Sequence, residues 1–181
     1  MTLVSIITEA LATIGRSTDA QSMEAWKQKF TIFANNGARD MAIKLQLRRT
    51  DTLTAVDNTI DISELPHDCI KILKVTQNGT ELTFNQGPDK EHVDVGVDGD
   101  VEVEYRYLPA KMVDDYDQPG IPEHLQDMLV KYVVYNEHIT ADPNLQRRAD
   151  PFYQDYMAGI NLAKKTLGED DTYQLYNTGW F

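Results

Sequence analysis

The fold is decided by residues 121–168, which read IPEHLQDMLVKYVVYNEHITADPNLQRRADPFYQDYMAGINLAKKTLG. Apolar residues recur in this stretch at intervals of three and four, which is the spacing of one helix face. Pro122 suits the first turn of a helix, and the pair Asp142-Pro143 interrupts the pattern. The stretch therefore predicts two helices joined by a short break.

The second helix of this pair has both of its ends marked in the sequence. Asp150 is expected to cap it, Pro151 to occupy its first position, and Gly168 to end it. Residues 169–181 have no period, and they begin acidic and end aromatic. We therefore expect a flexible C-terminal tail after the helix.

Two further helices are predicted near the start of the chain. The first has its apolar face on residues 3–14 and is expected to end at Gly15. Ser22 is placed to cap the second helix, which is expected to run to about Arg48. Gly37 weakens the middle of this helix, and it is tolerated there if another backbone packs closely against it.

The middle of the chain changes from a helical period to a period of two. An Asn-Gly or Asp-Gly pair between β-forming runs is a strong hairpin signal, because both turn residues take positive φ. The pairs that carry this signal are Asn78-Gly79 between 69–77 and 80–84, and Asp98-Gly99 between 93–97 and 101–108; two more short strands, 53–56 and 59–62, are predicted around Asp57-Asn58. Apolar and charged residues alternate in the last run, which predicts a strand with one buried face and one wet face.

Together these elements predict an α+β fold. Residues 1–50 and 110–168 supply two N-terminal and two C-terminal helices, whose apolar stripes are expected to pack as a small bundle. Residues 51–109 are expected to form an antiparallel, β-rich insert, and residues 169–181 the tail. A chain of 181 residues buries roughly 70% of the surface that its unfolded form exposes, so the core needs no disulfide.

The composition limits the classes of function. The net charge is -12 and the pI about 4.6, which argues against tight nucleic-acid binding because Lys and Arg make the phosphate contacts. Cys69 is the one cysteine, which excludes an internal disulfide, and its apolar neighbours predict a small buried thiol. The opening MTLVSIITEALATIG is not expected to be a signal peptide, and no apolar run has the length of a membrane span.

The sequence contains no recognisable catalytic motif. The histidines do not occur at the spacing of a metal site; they are His67, His92, His124 and His138. Gly-rich phosphate loops and the GxSxG motif are absent, and DGDVEVE at residues 98–104 lacks the rest of a calcium loop. We therefore predict no catalytic, cofactor-binding or metal-binding residues. An enzyme whose site is assembled from distant residues stays open as an alternative.

Two sets of charged residues are candidates for contacts between subunits. The basic set is expected near helix C-termini or exposed turns, and the acidic set lies in the connector VDDYDQPG at residues 113–120. They are Arg48, Arg49, Arg147 and Arg148, and Asp114, Asp115 and Asp117. A favourable interaction with the helix dipole would also explain the basic residues.

The C-terminal tail contains the candidate docking residues. Aromatic side chains at a chain end either fold back on their own domain or enter a groove on a partner, where aromatics are enriched. These residues are Tyr173, Leu175, Tyr176, Trp180 and Phe181.

The order of these elements resembles the head–tail connector, or adaptor, proteins of tailed bacteriophages. ITEALATIG followed by FANNGARDMAIKL is similar to the opening helix pair of that family, and IDISELPHDCIKILKVTQNGTEL to its β insert. VEVEYRYLPAKM and IPEHLQDMLVKYVVYNEH are similar to its return into the C-terminal helices. The chain is also similar to the tail tubular adaptors of short-tailed phages.

The resemblance implies a structural virion protein without catalytic activity. It implies a homo-oligomeric ring, expected to be a dodecamer, at the head–tail junction beneath the portal protein. Tail or nozzle proteins would bind the other side, and DNA would pass through the ring as cargo without specific binding. The protein would reside in the host cytoplasm during assembly and would contact no membrane, and the tail would dock on the portal.

Other interpretations remain open at this point. The chain is compatible with another neck or tail component of a phage, or with a module that binds a ligand on a β platform. A binding module predicts a stable monomer with a defined pocket, whereas an enzyme predicts carboxylates with perturbed pKa values clustered in a cleft.

Overall fold

A computed structural model describes residues 1–89, 91–141 and 146–177, and of residues 146–148 and 167–177 it describes the backbone only. The chain divides into two compact units. The helical unit consists of Met1–Leu45 and Lys111–Phe181, and the β unit consists of Gln46–Ala110. The mixed α+β fold predicted from the sequence is confirmed.

The helical unit is built on a shared apolar core. Its helices are α1 (Leu3–Thr13), α2 (Ala20–Leu45), α3 (Asp127–Ala141) and α4 (Gln146–Asn177), with a 3-10 turn at Glu123–Leu125 before α3. Each helix contributes fully buried side chains to the core: Leu3, Ile6, Phe30, Met41, Leu129, Tyr156 and Ile160. Burial of each large apolar side chain stabilises the fold by about 1.5–3 kcal/mol.

The β unit contains two antiparallel sheets. Its strands are β1 (Arg48–Ala55), β2 (Thr59–Asp61), β3 (Asp68–Gln77), β4 (Thr80–Leu82), β5 (Asn85–Gln86), β6 (His92–Asp94) and β7 (Gly99–Leu108). The larger sheet has the order β1-β7-β3-β4 and the smaller one the order β2-β6-β5. In β7 the buried residues Val101, Val103 and Tyr105 alternate with outward-facing charged ones, as predicted.

The hairpin at Asn78-Gly79 is confirmed, whereas the one at Asp98-Gly99 is wrong. Asn78 and Gly79 both have positive φ, and β3 pairs with β4 across them. β6 does not pair with β7; it pairs with β2 and β5, while β7 lies between β1 and β3. Positive φ values at Gly96 and Gly99 redirect the chain between β6 and β7. The turn at Asp57-Asn58 is confirmed: both residues have positive φ, and Val56 and Thr59 exchange backbone hydrogen bonds across it, although β1 and β2 belong to different sheets.

The ends of α2 differ from the prediction. α2 ends at Leu45 rather than near Arg48, because Gln46 adopts a φ of 53° that no helix continues. Asp19, rather than Ser22, caps its start: the Asp19 carboxylate accepts a 2.8 Å hydrogen bond from the Ser22 backbone N–H. Gly37 is indeed at a close approach, although to the side chain of Tyr132 on α3 and not to a backbone.

The predicted ends of the last helix are wrong. α4 begins at Gln146, so Pro151 lies inside it, and it continues through Gly168 to Asn177. A proline inside a helix removes one intrahelical hydrogen bond and its ring crowds the preceding turn, which costs about 3 kcal/mol, and an interior glycine costs about 1 kcal/mol relative to alanine. The other residues of α4 stabilise the helix enough to outweigh both local signals, the proline as a start and the glycine as an end. The predicted break at Asp142-Pro143 lies outside the described residues.

The length and hydropathy of a helix decide whether it could cross a membrane. Among the residues that the structure describes, no helix combines the length and the hydropathy that crossing a membrane requires.

Candidate functional site

No metal site is found among the described residues: they contain no group of three or more His, Cys, Asp or Glu side chains that could bind an ion. His92 contacts Asp89, with 2.7 Å between Nδ1 and Oδ2, and this contact raises the pKa of His92. His67 stacks on the ring of Tyr107 with 4.9 Å between centroids. Cys69, predicted to be buried, is half-buried, and desolvation raises the pKa of its thiol.

The acidic connector makes backbone contacts within the helical unit. The Asp117 carboxylate accepts hydrogen bonds from the backbone N–H groups of Val113 (2.7 Å) and Asp114 (2.8 Å), and these bonds lower its pKa. The carbonyl oxygen of Asp117 accepts a 2.9 Å bond from the N–H of Leu3, at the first turn of α1. N–H groups in the first turn of a helix have no intrahelical partner. Asp117 therefore both closes the connector and satisfies the start of α1.

Asp115 continues this arrangement. Its carbonyl oxygen accepts a 3.0 Å hydrogen bond from the N–H of Val4, and its carboxylate pairs with Lys27 Nζ at 2.7 Å. The Lys27 pair is an exposed ion pair, so solvent screens it and it contributes little to stability. In the same connector the apolar side chains of Val113 and Tyr116 are 71% and 84% exposed. The connector thus presents apolar surface outward while its polar groups bind inward.

Arg48 and Arg49 are not at a helix end, contrary to the prediction. They begin β1, in the β unit. Arg49 Nε donates to both carboxylate oxygens of Asp51, at 2.8 and 3.0 Å, and this contact raises the pKa of Arg49. Arg48 lies 3.7 Å from the carboxylate of Glu104 on the adjacent strand β7. Both guanidinium groups therefore have partners within the chain.

Asp51 is a polar centre of the β unit that the sequence analysis missed. Besides binding Arg49, it accepts a 2.7 Å hydrogen bond from the hydroxyl of Tyr105 on β7. Desolvation and this hydrogen bond raise the pKa of Tyr105. Arg49 also contacts His67, with 3.2 Å between nitrogens, and burial together with this cation lowers the pKa of His67. The register of Arg49 opposite Tyr105 becomes known only with the sheet pairing.

A second missed cluster joins α2 to α3. Lys29 Nζ lies 5.4 Å from the ring centre of Trp26 and 5.6 Å from that of Phe33, and it pairs with the buried carboxylate of Glu137 on α3. The guanidinium carbon of Arg16 also lies over Trp26, 5.8 Å from its ring centre. The spacing of Trp26, Lys29 and Phe33 along α2 could have indicated the cluster, because residues three and four apart on a helix are neighbours.

A third cluster joins α2 to α4. The hydroxyl of the fully buried Tyr156 donates a 2.5 Å hydrogen bond to Asp40, and Lys44 Nζ lies 2.5 Å from the same carboxylate oxygen. Desolvation and the bond to Asp40 raise the pKa of Tyr156. Asp40 and Tyr156 are 116 residues apart, so only the tertiary structure reveals this contact.

The remaining candidate residues lie on α4 or beyond it. Arg147 and Arg148 fall in its first turn, and Tyr173, Leu175 and Tyr176 in its last turns, with the backbone alone described. Trp180 and Phe181 lie outside the described residues. The docking role of this segment therefore stays a prediction.

The outward-facing side of the larger sheet holds a shallow, open cavity. Its volume is about 280 Å³, and it is lined by Thr50, Lys74, Thr76, Gly79, Glu102 and Glu104. Neighbouring groups on this face already pair: the Thr76 hydroxyl donates to Glu102 at 3.1 Å, and Lys74 lies 3.5 Å from Glu81. Ligand pockets are mostly apolar, enclosed and about 300–1,000 Å³ in volume. This cavity lacks that character.

In both units, clusters of polar side chains join one helix or strand to another. The helices and the connector also expose apolar side chains to solvent. Comparison with curated proteins finds no match. Comparison with protein families finds one whose model, described as SU10 adaptor protein, matches residues 1–178. The match covers the helical unit and the β unit alike. The chain therefore belongs to the SU10 adaptor protein family, a family of bacteriophage head–tail adaptor proteins.

Proposed function

We propose that this adaptor forms a ring beneath the portal, joins the capsid to the tail, and lets DNA pass through its centre. The observation that carries the proposal is the family match over residues 1–178. A ring of twelve copies is expected from the resemblance of the sequence to head–tail connectors. The net charge of -12 supports a DNA channel without specific binding, because it leaves few cations for phosphate contacts.

The proposed partners are the portal protein on one side and tail or nozzle proteins on the other. Association with portal and tail components, and a place in the virion neck, follow from family membership. A structural role of this kind favours a protein without catalytic activity. Before it enters the virion, the protein would reside in the host cytoplasm.

We assign the docking on the portal to the C-terminal segment. α4 carries the backbone to Asn177, beyond the predicted stop at Gly168. A long terminal helix that ends in aromatic residues can place them in a groove on a partner, where such side chains contribute most to affinity. The proposed docking residues are Tyr173, Leu175, Tyr176, Trp180 and Phe181.

Contacts between copies were predicted to involve charge pairs. Asp115 already pairs with Lys27, Asp117 binds backbone N–H groups, and Arg49 binds Asp51. A neighbouring copy would have to share or displace these contacts, which leaves less electrostatic attraction than the bare sequence suggests. Salt should therefore weaken ring formation only modestly if these groups form the contact.

Native mass spectrometry with the portal protein from the same genome tests the proposed function. We expect many copies, twelve in the closed ring, to bind one portal assembly, even if the free chain is monomeric. A chain truncated after Leu167 should keep its fold and lose portal binding. A full-length chain that stays monomeric and ignores the portal at high concentration would overturn the proposal. Unchanged binding by the truncated chain would overturn the assignment of the docking segment.

A further inference from the structure

α2 has an exposed stripe on the side opposite its buried face. We call it the α2 seam and define it as Ile32, Asn36, Arg39 and Ile43. All four residues are exposed, and Ile32 and Ile43 are 52% and 55% accessible. Their spacing of four, three and four residues keeps them in line along one side of a helix. Large apolar side chains repeated along an exposed helix face indicate a surface that packs against another helix.

α4 has a matching stripe. We call it the α4 seam and define it as Pro151, Asp155, Ala158 and Leu162. These residues are also exposed, with Leu162 68% accessible, and they repeat the spacing of four, three and four. The core-facing residues of α4 lie on a different side of the helix, where Tyr156, Ile160 and Ala163 are buried.

The two seams are complementary when they run antiparallel. In that register Ile32 lies opposite Leu162, Asn36 opposite the small Ala158, Arg39 opposite Asp155, and Ile43 opposite Pro151. Each facing pair forms one layer of the contact, and the two apolar layers lie at its ends. Between them lie the layer of opposite charge and the layer of Asn36 and Ala158, in which the small alanine side chain permits close approach. A parallel alignment would instead place Arg39 opposite Ala158, and it would lose the direct charge pair. Charge complementarity therefore selects the antiparallel arrangement.

The charged layer is available for such a contact. Within the described ranges Arg39 forms no ion pair. Asp155 lies 3.8 Å from Lys131, and its side chain remains largely exposed. An exposed pair at that distance is weak and leaves the carboxylate free to accept a better donor. Arg39 can offer two parallel N–H groups to it.

The seam on α2 is not covered by α4 of the same copy. Within one chain the two helices contact each other through Asp40 and Tyr156, which belong to neither seam. Both seams nevertheless remain exposed. We propose that the α2 seam of one copy packs antiparallel on the α4 seam of a second copy, with Arg39 paired to Asp155. This inference rests on the proposed ring, for which it supplies the contact between neighbours.

The contact is of the type that a ring requires. It joins two different patches, so a copy that uses one seam in a contact keeps its other seam free and can bind a second neighbour through it. Three helical turns form a small interface, so a single contact is expected to be weak. Closure of the ring, or collection of copies on a portal template, makes further contacts intramolecular and raises the apparent affinity. The apolar layers would supply the attraction and the charged layer the register.

Charge reversal tests the pairing of Arg39 with Asp155. We expect Arg39→Glu and Asp155→Lys each to lower the number of copies per portal assembly at limiting concentration by at least a few-fold. The double variant should restore it, which also separates the effect from the contact of Asp155 with Lys131 inside the chain. Lys164→Glu is the matched control, because it reverses an exposed charge on α4 outside the seam and should assemble normally. Normal assembly of both single variants, or failure of the double variant, would overturn the pairing.

Chemical cross-linking tests the seam without depending on the strength of the charge pair. Helix axes in contact lie about 8–10 Å apart, so a short bifunctional thiol reagent is preferable to a direct disulfide. Ile32→Cys with Leu162→Cys, in a Cys69→Ser chain bound to portal, should yield a ladder of linked multimers. Ala25→Cys with Leu162→Cys is the mismatched control, because residue 25 lies about 10 Å along the helix from residue 32. It should yield mainly unlinked chains.

The outcomes separate the inference from the proposed function. A chain that assembles on the portal and gives no ladder would overturn the seam contact and leave the ring in place. A ladder of equal strength from both cysteine pairs would overturn the antiparallel register. A wild-type chain that neither self-associates nor binds the portal would overturn the ring and the seam together.

Discussion

The helical unit and the β unit use their polar side chains differently. In the β unit the polar contacts stay within one sheet: Arg49 pairs with Asp51 on the same strand β1, and Arg48 and Asp51 contact Glu104 and Tyr105 on β7. In the helical unit, polar clusters such as Asp40 with Tyr156 join one helix to the next, while α2 and α4 keep apolar side chains exposed. The β unit also exposes apolar side chains, at Val56 and Ile70, so the difference between the two units lies in whether polar contacts stay within one sheet or join separate helices.

Replacement of Tyr156 should give the largest effect, because it removes both packing and a polar contact. Tyr156→Ala is expected to lower the free energy of unfolding by about 3–5 kcal/mol, since it leaves a cavity and deprives Asp40 of a donor. Urea unfolding followed by far-UV circular dichroism measures the loss. Tyr153→Ala, at an exposed position on the same helix, is the control and should cost far less. Equal losses would show that α4 is not fixed through Tyr156.

The corresponding test in the β unit is Asp51→Ala. The change leaves the Tyr105 hydroxyl and the Arg49 guanidinium without their shared acceptor, so we expect a loss of about 2 kcal/mol. Hydrogen exchange by mass spectrometry should locate faster exchange in β1 and β7, with little change in the helices. Thr52→Ala, an exposed position on the same strand, is the control. Faster exchange spread over α2 and α4 would contradict the separation of the two units.

Gly37 offers a test of helix packing in place of polar contacts. A Cβ at this position would lie 2.9 Å from Cδ1 of Tyr132 and 3.1 Å from Cδ2 of Leu129. Gly37→Ala should therefore destabilise the helical unit by about 1–2 kcal/mol, although alanine favours the helix by about 1 kcal/mol. Asn36→Ala, at the adjacent exposed position, should change stability by a few tenths of a kcal/mol at most. The thermal unfolding midpoints of both variants measure these changes in stability. A higher midpoint for Gly37→Ala would mean that α3 moves enough to make room for the added methyl group.

The sequence predicted those features of the fold that depend only on residues close together in the chain. The hairpin at Asn78-Gly79 was predictable because two residues set the turn and the pairing follows from it. The partner of β7 was not predictable in this way, since β1 and β3 are distant in sequence and local alternation is the same for any partner. The predicted helix end at Gly168 was wrong for the opposite reason, because the helix-forming residues around it outweighed this local stop signal.

The candidate surface was only partly accessible from sequence. The four residues of the α4 seam all lie within the helix predicted between Pro151 and Gly168, but which side of that helix stays exposed was not predictable from the sequence. The contact of Asp40 with Tyr156 required the packing of α2 on α4, and it is this packing that shows which helix faces remain exposed. The charged candidate residues, by contrast, could be read directly from the sequence, but their partners within the chain could not.

Asp117 gives the smallest expected effect and tests whether the connector serves the fold or a neighbour. Backbone hydrogen bonds from Val113 and Asp114 lower its pKa in the folded state. A carboxyl whose pKa is lower in the folded than in the unfolded chain adds stability above the unfolded value, and this stability is lost as pH falls through the folded one. Wild type should therefore be more stable than Asp117→Asn at pH 7, and the difference should shrink below about pH 4.

Unfolding midpoints of both proteins at pH 7 and pH 3 measure this difference, with Asp114→Asn as the control. That control removes the same charge from the connector and leaves the two bonds to Asp117 in place. A difference that does not depend on pH would contradict the role of the Asp117 carboxylate in closing the connector. If Asp117→Asn instead leaves the monomer unchanged and weakens assembly on the portal, the connector belongs to the interface between copies. The exposed Val113 and Tyr116 beside it would then be the next residues to replace, because they are the apolar surface that such an interface would bury.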